Sequence, residues 1–117
     1  AVSFLAIIWL STAGRDSDPR EMTSAEAPFA AHPDFAEVAE IVGYRCAACH
    51  AAEPVWAGLY WPPKGVALEH DVEIVRNARA IYLQAAVSHA MPPATVSVME
   101  AEERALIAAG YRDVTGG

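Results

Sequence analysis

The stretch Cys46-Ala47-Ala48-Cys49-His50 carries the clearest chemical signal of the chain. Two thiols separated by two residues, followed at once by a histidine, form the attachment pattern of a c-type haem. At this spacing each thiol can form a thioether with one vinyl group of the same porphyrin. The histidine then lies under the ring, where an imidazole nitrogen can bind the iron. The pattern predicts one covalently attached haem c, held by Cys46 and Cys49, with His50 as an iron ligand.

The two cysteines have three alternative uses. A structural zinc site needs four ligands, usually as two separated pairs, and the remaining candidates His32, His70 and His89 are scattered along the chain. A thioredoxin-like dithiol pair needs a βαβ context, which the surrounding sequence lacks. A disulfide leaves the adjacent histidine unexplained. Haem is therefore the leading interpretation, ahead of a dithiol or disulfide, and zinc comes third.

An electron-transfer haem needs a ligand on the far face of the iron, and Met91 is the strongest candidate. It follows a predicted helix and precedes Pro92 and Pro93, which stiffen the segment and prevent it from joining a helix. The alternatives are that Met91 fills a gap in the core, or that His89 binds the iron and lowers the reduction potential. The weaker candidates, which carry no signal of ligation or are expected to cap or pack, are Met22, His32, His70 and Met99.

Aromatic residues cluster in the loop after the motif, at Trp56, Tyr60 and Trp61. Two interpretations stay open and have equal weight. The residues form a wall of the haem pocket, with an indole N–H or a phenol O–H reaching a propionate, or they pack in an ordinary small core. Lys64 is a candidate partner for a propionate, although a solvated lysine is the commoner case.

The outer N–H of His50 is expected to donate a hydrogen bond to a loop carbonyl. Such a contact fixes the orientation of a metal-binding imidazole. The sequence favours a carbonyl near Pro62 or Pro63, and it does not distinguish between them.

Helices are predicted to position these residues. A first helix is expected to begin near Pro33, because proline suits a first helical turn, and to lead directly into Cys46. A loop rich in Gly and Pro follows. Further helices are expected at about 71–89 and 99–109, the last of them ended by Gly110. The sequence has no strand pattern, so the expected fold class is all-α.

Three segments are expected along the chain. Residues 1–10 (AVSFLAIIWL) are almost continuously apolar, but they span only about 15 Å as a helix, about half of a bilayer core. They are either the end of a transmembrane helix that starts upstream or a buried core helix. The absent initiator methionine and Trp9 near the end of the run favour the first. Residues 11–31 read as a flexible linker, and residues 32–117 as one domain.

The chain is acidic, with a formal net charge of −7. This charge argues against a nucleic-acid partner, which needs a basic footprint. It suits a module that meets a basic patch on a partner, or it serves solubility alone. Alanine supplies much of the apolar content, so the core is expected to be thin. A haem would add apolar volume and stabilise the native state by binding to it.

From about residue 33 to 113, the order of features resembles class I cytochrome c: helix, Cys-x-x-Cys-His, loop, helix, Met-Pro, final helix. The resemblance implies an all-helical fold of three to four helices around one haem, with His50 and Met91 as axial ligands. One departure is that Val38 and Val42 occupy places where the family usually has a small residue and an aromatic residue facing the last helix.

A closer similarity is carried by residues 44–54 (YRCAACHAAEP), 63–66 (PKGV) and 90–92 (AMP), ahead of 102–107 (EERALI). Together they resemble the C-terminal cytochrome c domain of membrane-bound urate hydroxylases. The resemblance implies a membrane-embedded catalytic domain earlier in the same polypeptide, and electron transfer from urate oxidation to a respiratory-chain acceptor. It also implies a cytochrome domain in the periplasm, at the bacterial inner membrane, anchored by the N-terminal helix. This chain would then be an electron carrier within an oxidoreductase.

Other functions stay open. A generic membrane-anchored cytochrome c of a respiratory chain would share every residue of the site. A haem-based sensor would have a labile sixth position and would bind carbon monoxide readily. A non-haem dithiol module would be colourless. An enzyme acting through the haem would need a distal acid–base group, for which His89 is the one weak candidate.

Overall fold

The computed structural model describes residues 2–12 and 21–117, together with the side chains of all of these except 9–12. The described residues form helices and loops without a strand, so the all-α prediction is confirmed. The helices are α1 (Val2–Thr12), α2 (Ala27–Ala30), α3 (Phe35–Arg45), α4 (Asp71–Arg76), α5 (Ala78–Ile81) and α6 (Ala101–Thr115). A 3-10 turn lies at Pro63–Gly65 and a π-helical segment at Tyr82–Val87.

One apolar cluster joins the first and last helices of the domain. Its buried members are Ile41 of α3, Ala85 of the π-helical segment, Met99, and Ile107 of α6. Met99 is only 6% exposed, which confirms the expectation that it packs. This cluster fixes the crossing of α3 with α6.

A second apolar cluster lies beside the motif at residues 46–50. Val42 of α3 packs there with Leu68 and Ile74, and Cys46 and Val66 border the cluster. Because α3 contributes to both clusters, the residues at its C-terminal end are held in place from two sides.

The second predicted helix is interrupted rather than continuous. Asn77, with φ −101° and ψ 16°, separates α4 from α5, and its side-chain amide donates to the carbonyl of Glu73 at 2.8 Å. Local side-chain bonds of this kind compete with the helical ladder. The helical path ends at Val87, two residues before the expected end at His89. The backbone of His89 is left-handed, with φ 57°.

The last helix is longer than predicted. It runs through Gly110 to Thr115 and ends at Gly116, whose left-handed φ of 77° terminates it. The expectation that Gly110 ends the helix is therefore wrong. A glycine inside a helix costs only about 1 kcal/mol relative to alanine, and the packing of α6 outweighs this cost.

The described side chains at the start of the N-terminal helix α1 are exposed to solvent. Val2, Phe4 and Leu5 are 81%, 74% and 67% exposed, so they belong to neither apolar cluster. Among the described residues, no helix combines the length and apolar character needed to cross a membrane. The side chain of Trp9 and residues 13–20 of the predicted linker lie outside the described residues.

The second half of the predicted linker contacts the domain. Phe29 of α2 stacks on Tyr111 of α6, with ring centroids 5.8 Å apart. Next to this contact, His32, the first residue of the predicted domain, approaches Asp113 of α6 with 3.1 Å between Nε2 and Oδ2. The linker prediction did not anticipate these contacts, because they join residues that are far apart in the sequence.

Candidate functional site

Cys46, Cys49 and His50 lie on one tight turn directly after α3. The N–H of Cys46 donates to the carbonyl of Val42 at 2.9 Å and closes the helix. The carbonyl of Cys46 then accepts the N–H of Cys49 at 3.2 Å and that of His50 at 2.8 Å. Both cysteines are half-buried free thiols. The structure thus brings three of the four predicted site residues together through short-range backbone hydrogen bonds.

Cys46 is held as a neutral thiol. Burial raises the pKa of its thiol to about 11, and the neighbouring Cys49 adds to the shift. Reactive cysteines act as thiolates and have lowered pKa values, so the surroundings of Cys46 do not activate it.

The imidazole of His50 is oriented by the carbonyl of Val66. Its Nδ1 donates to that oxygen at 2.8 Å. Because a carbonyl only accepts hydrogen bonds, the proton is assigned to Nδ1, and Nε2 keeps a lone pair for a metal. The carbonyl of His50 also accepts the N–H of Leu68 at 2.7 Å. The ring and its backbone are thus both fixed against the same stretch of loop.

The expectation that a loop carbonyl accepts the outer N–H of His50 is confirmed. The acceptor is Val66, three residues after Pro63, and the local turn explains why it is not a proline carbonyl. The carbonyl of Pro62 accepts the N–H of Gly65 at 3.0 Å, and that of Pro63 accepts the N–H of Val66 at 3.1 Å. Gly65 has a left-handed φ of 70°, which reverses the chain. The proline carbonyls are used inside the turn, and the first carbonyl beyond it faces His50.

Met91 belongs to a second group of contacts, built from helix ends. Its N–H donates to the carbonyl of Gln84 at 3.0 Å, and its carbonyl accepts a hydrogen bond from Arg104 at 3.1 Å. Pro92, the next residue, is buried. The Met91 residue itself is 40% exposed. The alternative that Met91 fills a gap in the core is therefore wrong.

The remaining ligand candidates have other positions or partners. His89 is exposed. His70 is exposed and occupies the cap of α4, where its N–H donates to the Glu73 carboxylate at 2.9 Å. The expectation that His70 is a surface or capping residue is confirmed. Met22 is half-buried.

The aromatic loop after the motif is exposed. Trp56, Tyr60 and Trp61 are 44%, 83% and 72% exposed, so the alternative of ordinary core packing is wrong. The N–H of Trp56 donates to the carbonyl of Ala48, between the two cysteines, at 3.2 Å. The start of the loop therefore lies against the turn that carries Cys46, Cys49 and His50. The roles of these rings as a pocket wall, and of exposed Lys64 as a propionate partner, stay predictions.

Glu69, His70 and Glu73 form a group whose potential metal-binding atoms lie within 4.8 Å of one another. The carboxylates of this group already accept hydrogen bonds from backbone N–H groups. Glu73 accepts the N–H of Glu69 at 3.2 Å, and Glu69 accepts the N–H of Ala52 at 3.0 Å. The group contains neither cysteine, so it adds nothing to the zinc interpretation.

Two residues of the site were not identified from the sequence. The part played by Val66 is that of a backbone carbonyl, which has no signature in the side-chain pattern. Arg104 lies within the stretch that resembles the urate hydroxylase domain, but a basic residue on an amphipathic helix is by itself a common surface feature.

Comparison with known proteins found no match to a family model, a curated protein or a solved structure.

Proposed function

We propose that this chain is a monohaem electron-transfer domain of the class I cytochrome c type. The observation that carries the proposal is the turn on which Cys46, Cys49 and His50 meet, with the ring of His50 held by Val66. Two thiols on one turn suit two thioethers to a single porphyrin. The free Nε2 of His50 suits an iron ligand. The donor set therefore fits a c-type haem.

The residues of the site would divide the work as follows. The bound haem supplies one-electron chemistry between Fe(III) and Fe(II). Cys46 and Cys49 hold it covalently, and His50 donates from Nε2. The Val66 carbonyl polarises the Nδ1–H bond and so raises the basicity of the opposite nitrogen. Met91 would bind the iron through its thioether sulfur and would exclude external ligands, so that outer-sphere electron transfer would be the reaction.

The same proposal includes a larger parent protein, a membrane-bound urate-oxidising enzyme. In it the domain would accept electrons from an upstream catalytic domain of the same polypeptide and pass them to a respiratory-chain acceptor in the periplasm. Two features support this parent: the resemblance of the motif stretches, and the exposed apolar side chains of α1 ahead of the domain. The net charge of −7 suits an acceptor with a basic docking surface.

Carbon monoxide binding tests the electron-transfer role of the chain expressed with haem-maturation machinery. The reduced protein should resist carbon monoxide, whereas Met91→Ala should bind it readily, because its sixth position is open. His89→Ala serves as the matched control and should behave as the unmodified protein. Ready binding by the unmodified protein would favour the sensor, and a colourless protein would favour the dithiol module.

The parent enzyme needs its own test, made on the full-length protein in membranes. Urate should reduce the haem, as seen in the absorption spectrum, and removal of urate should stop the reduction. A haem that responds to other donors but not to urate would leave a generic membrane-anchored cytochrome c.

A further inference from the structure

Arg104 joins three parts of the domain at the segment that carries Met91. Its Nη1 donates to the carbonyl of Ala85, in the π-helical segment, and to the carbonyl of Met91 at 3.1 Å. The residue lies in the first turn of α6 and is half-buried. One side chain thus ties the last helix both to the end of the π-helical segment and to the loop that follows it.

The position of this contact follows from how the π-helical segment ends. The last carbonyls of a helical segment have no partner within it and need donors from elsewhere. The carbonyl of Gln84 takes the N–H of Met91 at 3.0 Å, and the carbonyl of Ala85 takes the Arg104 guanidinium. A cation at this end also interacts favourably with the helix dipole. The same set of contacts therefore caps the π-helical segment and holds the backbone of Met91.

As a result, the peptide groups on both sides of the Met91 α-carbon are held. Its N–H is bonded to Gln84 and its carbonyl to Arg104, while the side chain stays partly exposed. We infer that Arg104 is the positioning residue that presents Met91 as an axial ligand. This inference rests on the proposed haem function. By fixing the backbone, Arg104 reduces the freedom that Met91 would lose on binding a metal, which is preorganisation.

Arginine is well suited to this role. Its guanidinium is planar and charged at every working pH, and its donors can serve two carbonyls at once. Hydrogen bonds from a charged donor are stronger than those between neutral groups. A lysine would carry the same charge on a flexible stem and would hold the two carbonyls less firmly. Without either side chain, the carbonyls of Ala85 and Met91 would lose this donor, and the loop would move away from helix α6 more easily.

Competition by imidazole measures how firmly Met91 is held. Imidazole must displace Met91 from ferric haem, so its apparent affinity rises when the methionine is presented less well. The variants are Arg104→Met and Arg104→Lys. The matched control is Arg112→Met on the same helix, because the Arg112 guanidinium lies 5.8 Å from the centre of the Tyr82 ring, away from the contacts of Met91.

Arg104→Met is expected to raise the affinity for imidazole about tenfold, which corresponds to about 1.4 kcal/mol. Arg104→Lys should give a smaller rise. Arg112→Met should stay within about twofold of the unmodified protein, the range of ordinary surface substitutions. A purely structural role for Arg104 would lower the unfolding temperature without changing the affinity, so both are measured on each variant.

An affinity for imidazole unchanged in folded Arg104→Met would overturn the inference. If that variant does not fold, Arg104→Lys decides in the same way. Met91→Ala separates this failure from failure of the ligand assignment. If Met91→Ala does not raise the affinity, methionine is not displaced, and both the ligand assignment and the role of Arg104 are overturned.

Discussion

His50 and Met91 are positioned through different parts of their residues. The side chain of His50 is itself hydrogen-bonded, from Nδ1 to the carbonyl of Val66 at 2.8 Å. For Met91 the backbone carries the contacts, with hydrogen bonds to Gln84 and Arg104. An imidazole has two nitrogens, so one can be tethered while the other binds a metal. A thioether sulfur is only a weak hydrogen-bond acceptor, so a hydrogen bond to it orients the side chain less firmly than a bond to an imidazole nitrogen.

The two residues should therefore differ in how easily destabilisation of the domain displaces them. His50 is held by contacts within the turn at residues 46–50 and with nearby loop residues. These residues border the cluster around Val42. Met91 depends on the packing of α6 against the π-helical segment, since its partners Gln84 and Arg104 lie on those two elements. When the domain is destabilised, we expect the contacts that hold Met91 to be lost before those that hold His50.

The largest effect should come from removing each ligand in turn. His50→Ala should lower the yield of covalent haem protein by more than about tenfold, because loss of a neighbour of a metal ligand alone costs 10–100-fold. Met91→Ala should keep the covalent haem and open one axial position, so its reduced spectrum should become that of a high-spin haem. Haem staining of denaturing gels measures the covalent yield, and the reduced absorption spectrum measures the spin state. Equal yields of covalent haem from the two variants would contradict the proposed difference between His50 and Met91.

A second comparison sets the two methionines against each other. Met99 is 6% exposed and Met91 40%. Met99→Ala should lower the free energy of unfolding by about 2–5 kcal/mol, as expected for a buried methionine, and keep the red absorption band of methionine-bound ferric haem. Met91→Ala should lose that band. Denaturant unfolding and the ferric spectrum give the two readouts.

Met99→Leu is the control for this pair, because a swap of similar volume costs under about 1.5 kcal/mol. A folded Met99→Leu protein that lacks the red band would mean that Met99, rather than Met91, binds the iron.

The hydrogen bond that orients His50 can be weakened by a change in the turn that precedes Val66. Gly65 has φ 70°, so Gly65→Val should cost about 1–3 kcal/mol in backbone strain and displace the Val66 carbonyl. A weaker bond to Nδ1 makes the opposite nitrogen less basic, which disfavours Fe(III) and should raise the reduction potential. Redox titration and thermal unfolding provide the measurements.

Gly43→Ala, in α3, is the matched control. A Cβ at this position meets nothing within 4 Å, so stability should be unchanged or rise by about 0.5–1 kcal/mol, and the potential should stay the same. A folded Gly65→Val protein with an unaltered potential would show that Val66 does not tune His50.

The smallest expected effect concerns an ion pair next to the turn at residues 46–50. Arg45, which precedes Cys46, lies 3.1 Å from Glu103 of α6. The hydrogen bond from Arg45 lowers the pKa of the Glu103 carboxyl. The contribution of this ion pair to the free energy of unfolding is therefore complete at neutral pH. It is lost as the pH falls through the lowered pKa, when the carboxylate takes a proton.

Glu103→Gln should thus destabilise the domain by about 0.2–1 kcal/mol at pH 7, the usual range for a partly exposed pair, and by less in acid. Thermal unfolding at both pH values tests this. Glu102→Gln, the exposed neighbour, is the control and should show no such pH dependence. A destabilisation by Glu103→Gln that is the same in acid would assign the effect to something other than the ion pair.

How much the sequence reveals differs between the two sides. The proximity of Cys46, Cys49 and His50 can be predicted because the residues are adjacent in the sequence and their turn is held by short-range hydrogen bonds. The acceptor of His50 was placed near Pro62 or Pro63 instead of at Val66, because the answer depends on which carbonyls the turn itself uses. Composition and spacing do not record that detail of the turn.

For Met91, the sequence predicts a short irregular stretch beyond a helix, but it does not predict the contacts that hold this stretch. The bond from Arg104 depends on the docking of α6, and the π-helical segment that it caps has no pattern distinct from an α-helix. The end of α6 was misplaced at Gly110 for a related reason. Packing along the helix outweighs a local stop signal, and Gly116 with its left-handed φ is the actual end.

The most direct test of the central claim is the mass of the denatured polypeptide after expression with haem-maturation machinery. The unmodified chain should gain the mass of one haem, retained under denaturing conditions, and the double variant Cys46→Ser, Cys49→Ser should gain none. An unmodified chain that keeps its polypeptide mass, with two titratable thiols or a disulfide, would contradict the account.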